Sequence, residues 1–219
     1  KMLKILKGQE ESIKGLIVCE EVDNASSLPF VLHFLSTAST SSQKVAIVST
    51  KLSETNYKLI CSKAGVRWNP TQISFYDFLK PFELFDITSE QIMDELYKKL
   101  IDSSASVILF DDLSILEQFG ATSVETTIFV HKIYTHLKTL SQENALLLAS
   151  FSIHSNAVDI LKPRCHVFVQ MSPVSHGFGK DASAKAVLTI KSPSAPTSTK
   201  GILLSGERTI NGSYITVDQ

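Results

Sequence analysis

The chain has 219 residues, 43% of them hydrophobic and 20% charged, and its 21 lysines and arginines against 22 aspartates and glutamates leave a formal net charge of −1. That length supports a real core within one domain, the composition excludes wholesale disorder and fibrous architectures, and the near-zero charge excludes a protein that grips nucleic acid by bulk electrostatics. Three dispersed cysteines, Cys19, Cys61 and Cys165, show no C-x-x-C spacing, which excludes a disulfide framework and a zinc site and fits a reducing compartment.

The first predicted strand is GLIVCE (15–20), a continuous apolar run. A P-loop protein carries G-x-x-x-x-G-K-[ST] directly after this strand, because amides freed by glycine cradle the phosphates while the lysine and hydroxyl complete the charge. Here the place holds EEVDNASSLPF, which has no glycine and no lysine, and its Glu20, Glu21 and Asp23 repel a triphosphate. Leu28 to Ala38 reads as a helix, KVAIVS (44–49) as the second strand, Ser53 to Ala64 as a helix and QISFYD (72–77) as the third strand. Phe75, Tyr76, Phe78, Phe82, Leu84 and Phe85 then form a dense aromatic segment around Pro81, part of which is expected to leave the core. Ser89 to Ser103 reads as a helix opened by a Thr88/Ser89 cap and an acidic first turn.

The fourth strand, SVILFD (106–111), runs into Asp111 and Asp112. With no phosphate loop beside it, the pair is read first as capping the next helix or binding loop amides. The functional alternative is a degenerate Walker B-like strand end, a vestigial magnesium-binding acid. The following SILEQFGATSVETTIFVHKIYTHLKTL reads as a long helix, its main run from Val124 to Gln142. Val124, Ile128, Val130, Ile133, Tyr134 and Leu137 cover more than one stripe of it, a surplus that belongs either to the core or to a partner chain. ALLLAS (145–150) is the fifth strand, and Ser155 to Leu161 a short helix.

Beyond it the pattern changes to CHVFVQM (165–171), KAVLTIK (185–191), GILLSG (201–206) and SYITVD (213–218), joined by turn-rich links and read as an antiparallel extension. The link PSAPTSTK (193–200) reads as an exposed hairpin loop. The expected fold class is therefore α/β, a single domain over residues 1–219. Its core, at about 15–150, is a largely parallel sheet flanked by helices, and the antiparallel β extension covers about 165–218. This is the outline of RecA-like domains, which alone does not prove function.

Other chemistries find no support. VSHGFGKDAS (174–183) resembles a phosphate loop superficially, but Val174 stands where the first glycine belongs and Asp181 where serine or threonine should follow Lys180. It reads as an exposed loop, with Gly177, Phe178, Lys180 and Asp181 as a candidate contact element. There is no G-x-G-x-x-G after a strand and no G-x-S-x-G elbow. His131 and His136 fall on different faces of a helix, and His33, His154, His166 and His176 are scattered, so no metal site and no cofactor are expected. Arg67, Lys162, Arg164, Lys180 and Lys185 are candidates for a nucleic-acid contact by sign only. No apolar run approaches the roughly 20 residues of a membrane span. KMLKILKGQEES lacks a signal peptide's apolar segment, so a cytosolic or nuclear location is expected. The chain opens on Lys1, and a native start upstream of it is expected.

DDLSILEQFGATSVETTIFVH (111–131), followed by SPVSHGFGKDASAKAVLTI (172–190), resembles the family of sixth subunits of the Elongator complex. There a strand-end acidic pair leads into a similar L-S-x-L-x-x-x-G helix start, and a G-F-x-K-D segment precedes a β-hairpin. The resemblance implies a RecA-like subunit without its own phosphate loop, assembled with the fourth and fifth Elongator subunits into a heterohexameric ring. That ring serves the catalytic Elongator subcomplex, which modifies the wobble uridine of tRNA, by binding tRNA and influencing its release. One departure is that residues 182–184, Ala-Ser-Ala, lack the glycine expected soon after Asp181, which bears on the hairpin conformation. The competing readings are an active nucleotide hydrolase or kinase with an unconventional phosphate loop, and a monomeric binding module.

Overall fold

The computed structural model describes residues 13–78, 88–141, 144–174, 184–192, 195–204 and 213–215. Five apolar segments form parallel strands: β1 (Gly15–Glu21), β2 (Val45–Ser49), β3 (Ile73–Asp77), β4 (Val107–Phe110) and β5 (Leu146–Phe151). Between them run α1 (Leu28–Thr40), α2 (Glu54–Ala64), α3 (Ser89–Asp102), and the pair α4 (Ser114–Gln118) and α5 (Ser123–Leu140). After β5 come α6 (Asn156–Leu161), β6 (Val167–Pro173), β7 (Ala184–Ser192), β8 (Ala195–Leu204) and β9 (Ser213–Ile215). One nine-stranded sheet results, in the order β3-β2-β4-β5-β1-β6-β7-β8-β9.

Strand alternation divides the core in two. Ile17 and Cys19 of β1 face α1 and α2, in a cluster with Phe30, Leu35, Tyr57, Ile47, Leu109 and Leu148. Leu16 and Val18 face the opposite way, toward α3, α5 and α6, with Ile92, Leu96, Phe110, Val130, Ile133 and Leu161. Strands buried on both faces need no polar alternation, which is why β1, β2, β4 and β5 read as unbroken apolar runs.

The structure corrects three expectations. CHVFVQM does not belong to the antiparallel extension: β6 pairs in parallel with β1, Ile17 opposite Val167, because α6 supplies the crossover that a parallel return requires. Antiparallel pairing begins at β6–β7 and continues through β8 and β9. Most of PSAPTSTK is strand rather than loop, since β8 starts at Ala195, opposite Ser192. The long helix after the acidic pair is two helices, broken where Gly120 adopts φ +94° and Thr122 starts α5 with a capping box to Glu125.

Gly15 is also required as glycine. At φ +88° its backbone passes so close to β6 that a Cβ would stand 2.7 Å from the His166 ring and 3.0 Å from the Tyr134 hydroxyl.

Candidate functional site

The C-terminal ends of β1, β2, β4 and β5 converge beside the start of α1, the place where an open α/β sheet takes its ligand. The chain turns from β1 into α1 without glycine, through Asp23 and Asn24 at φ 52° and 61°, the two residue types that best tolerate the left-handed region. This turn brings the chain's own carboxylate onto the head of α1. Glu21 is 7% exposed, and its Oε1 accepts the Ser27 backbone N–H at 2.6 Å. The Leu28 N–H is donated to the Ser26 hydroxyl oxygen at 3.2 Å, Pro29 has no N–H, and the Phe30 N–H bonds the Ser27 carbonyl at 2.9 Å. The amides that would receive a phosphate at a helix N-terminus are thus spent within the chain.

Lys51, just past β2, supplies the counter-charge. Its Nζ lies 2.5 Å from Glu21 Oε2 and 4.0 Å from Asp112 Oδ2. The cation facing these carboxylates is therefore this ammonium, and among the described residues no cluster of three or more histidines, cysteines or carboxylates could hold a metal ion. Nothing in the sequence pattern singles out Lys51, whose role depends on the parallel sheet that brings the C-terminal ends of β2 and β1 to the same end.

Asp111 and Asp112 do different things. Asp111, 4% exposed, ties β4 to the end of β2: its Oδ1 accepts the Thr50 N–H at 2.8 Å and the Thr50 hydroxyl at 3.2 Å. Its Oδ2 accepts the hydroxyls of Ser49 and, at 3.1 Å, Tyr57. Asp112, not Asp111, meets the start of α4, accepting the Ser114 N–H at 2.9 Å although the N-cap position is Leu113, and it holds β5 through the Ser152 N–H at 3.2 Å and the Ser152 hydroxyl. Both carboxylates are saturated by groups of the chain. Between them and α1 remains a cleft of about 270 Å³ lined by Ser26, Ser27, Leu28, Lys51, Leu52 and Tyr57, below the usual range of small-molecule sites.

Burial raises the pKa of Asp111, opposed by its hydrogen bonds from Ser49, Thr50 and Tyr57 and by Lys51. Burial and the Asp111 carboxylate together push the Tyr57 hydroxyl far up, so it remains a donor. A carboxyl with a raised folded pKa stabilises the fold fully below its unfolded pKa, about 4, and loses that contribution as pH rises through the folded value. The parent should therefore lose stability relative to Asp111→Asn as pH rises above about 4, as read by urea melts of both proteins. A parent that gains on the variant over this range would mean that the hydrogen bonds and Lys51 outweigh burial.

The other sequence candidates lie apart from this site. Lys162 and Arg164 follow α6, Lys185 is exposed on β7, and the carbonyl of Arg67, beyond α2, accepts the Ser39 hydroxyl at 3.4 Å. Gly177, Phe178, Lys180 and Asp181 fall outside the described residues, as do Phe82, Leu84 and Phe85. His136 packs edge-on against Tyr97, while His131, its pKa lowered by burial and Arg164, sits elsewhere on α5. The apolar surplus of α5 resolves into Val130, Ile133 and Leu137 inside, with Val124 and Ile128 left 58% and 60% exposed one turn apart.

The sequence matches no family model and no curated protein sequence. The chain is similar in structure to the flagellar accessory protein FlaH from Methanocaldococcus jannaschii, with a TM-score of 0.64 over 93% of this chain and 90% of that one, at 16% identity. The fold is RecA-like. At that identity the likeness concerns the fold alone. No helix among the described residues is long and apolar enough to cross a membrane.

Proposed function

We propose that this chain is a non-catalytic RecA-like subunit of the Elongator accessory ring, assembled with the fourth and fifth subunits into a heterohexamer. In this reading it supports wobble-uridine modification through assembly and through tRNA binding and release, in the service of the catalytic Elongator subcomplex. The observation that carries the proposal is the head of α1: Glu21, balanced by Lys51, takes the Ser27 amide, and the first-turn amides of α1 are bonded within the chain. A RecA-like chain so closed has assembly rather than turnover as its remaining use. The stretches 111–131 and 172–190, with their likeness to the sixth Elongator subunits, supply the ring and its cargo, and exposed Val124 and Ile128 on α5 suit a neighbouring subunit.

An obligate interface of this kind buries on the order of 2,000 Å² or more. Co-expression with the fourth and fifth subunits, followed by size exclusion with light scattering, should recover all three chains in equal amounts and a hexameric mass. A chain that stays a soluble monomer beside those partners would remove the ring reading. An ATP hydrolase or kinase with an unconventional loop is the competing outcome, and turnover by the purified chain would establish it.

A further inference from the structure

On the side of the sheet that α5 and α6 pack against, beyond the buried Phe168, cations run along β7 from Lys191, at the end of β6 away from the strand-end site, to Lys185 opposite Ser172. Along β7, Ala186 and Leu188 are buried with the α1 side of the core, whereas Lys185, Val187, Thr189 and Lys191 point the other way and keep solvent access. Thr189 lies opposite Phe168 on β6 and Thr199 on β8, and the Lys191 N–H bonds the His166 carbonyl at 2.9 Å, so His166 and Lys191 share this face. Lys162 leans over the Phe168 ring with Nζ 4.4 Å from its centroid, and the Lys191 ammonium donates to the Lys162 carbonyl. From α5, Lys138 approaches Tyr134, which meets the His166 ring at 5.6 Å between centroids, and Arg164 adds its guanidinium beside His131.

Among the described residues, none of Lys138, Lys162, Arg164, Lys185 and Lys191 lies within salt-bridge distance of a carboxylate, whereas Lys51, Lys58, Lys99 and Lys132 do. The sequence shows the same bias: residues 160–206 hold six lysines and arginines against the single Asp181, in a chain of formal net charge −1. Uncompensated charge gathered on one face has a cost in self-repulsion that a polyanion relieves.

We infer that this solvent-accessible side of β7, flanked by Lys138, Lys162 and Arg164, binds the phosphate backbone of RNA. Lys185 and Lys191 lie six residues apart on one strand, about 20 Å, which suits a run of phosphates rather than one anionic group. Threonine hydroxyls and the Tyr134–His166 ring pair lie among the cations, the mixture of donors and π-faces that nucleic acid uses. A membrane surface would call for exposed apolar side chains on this sheet face, where Val187 is only half-buried and the neighbouring positions are threonine and lysine. The inference rests on the RNA-serving reading above and adds the surface that does the binding.

The test is fluorescence anisotropy of labelled mixed tRNA with the full chain, at several salt concentrations. The variant Lys162→Gln/Arg164→Gln/Lys191→Gln is compared with Lys58→Gln/Lys63→Gln/Lys99→Gln, which removes the same charge elsewhere. The first should weaken binding at least tenfold at 100 mM salt and reduce the slope of log K against log salt by about 2, since each phosphate contact contributes roughly 0.7–0.9. The second should change affinity less than threefold, and melting curves of both should overlay the parent's. Equal affinity and slope in the two variants overturn the inference, as does tight binding of phosphatidylserine vesicles with none of tRNA, or a parent that binds no tRNA at low salt. Ring assembly is read separately by co-purification, so failure here and failure of the ring remain distinct.

Discussion

Replacing Asp111 by alanine is expected to lower the stability of the chain by about 2–4 kcal/mol. The carboxylate accepts from the Ser49, Thr50 and Tyr57 hydroxyls and the Thr50 amide, and Tyr57 is fully buried. Alanine leaves the Tyr57 hydroxyl and the Thr50 donors without this acceptor, while the Ser49 hydroxyl keeps the Leu52 carbonyl at 2.8 Å, and each orphaned buried group costs about 1–3 kcal/mol. Removing a buried carboxyl also ends its desolvation, which keeps the total below the sum of the bonds. For a chain of this size the melting temperature should fall by roughly 5–15 °C. Asp111→Asn retains an acceptor and should lose less. In the assembled ring, any nucleotide turnover by neighbouring subunits should survive wherever the variant still assembles. Unchanged melting with abolished turnover would mean that the aspartate serves chemistry instead of the β2–β4 junction.

The strands were legible because a sheet buried on both faces asks for apolar runs, and GLIVCE, KVAIVS, SVILFD and ALLLAS are such runs. The same property hid the direction of β6: CHVFVQM looks alike in a parallel and an antiparallel neighbour, and only the α6 crossover decides. The break between α4 and α5 had a visible signal, since Thr122-Ser-Val-Glu125 after Gly120 is a capping box behind a glycine, but apolar periodicity running through it favoured one helix. Proline, serine and threonine in 193–200 spelled a loop. β-Branched Thr197 and Thr199 suit a strand with one face in solvent, and Pro196 sits near its start.

The emptiness after β1 was readable as composition, but its physical content was not. EEVDNASSLPF shows what is lacking for phosphate; it does not show that Glu21 folds back onto the Ser27 amide or that a lysine from another strand meets it. Nor does one sequence segment reveal a patch built from residues 138, 162, 164, 185 and 191, which the β6–β7 pairing and the packing of α5 on α6 bring to one face.

The second large effect concerns nucleotide. A RecA-like chain that kept its phosphate site would bind ATP-magnesium through helix amides and a lysine. Here a triphosphate would have to displace a carboxylate that holds a 2.6 Å bond from the Ser27 amide and a 2.5 Å contact with Lys51, and then lie beside Glu20, Asp111 and Asp112. Like charges in such a partly buried place cost several kcal/mol, and 4 kcal/mol is about a thousandfold in affinity. Isothermal titration of the purified chain with ATP-magnesium measures this directly. The chain should show no saturable heat below the millimolar range, and micromolar binding that Lys51→Ala abolishes would contradict the closed site and return the molecule to the nucleotide enzymes.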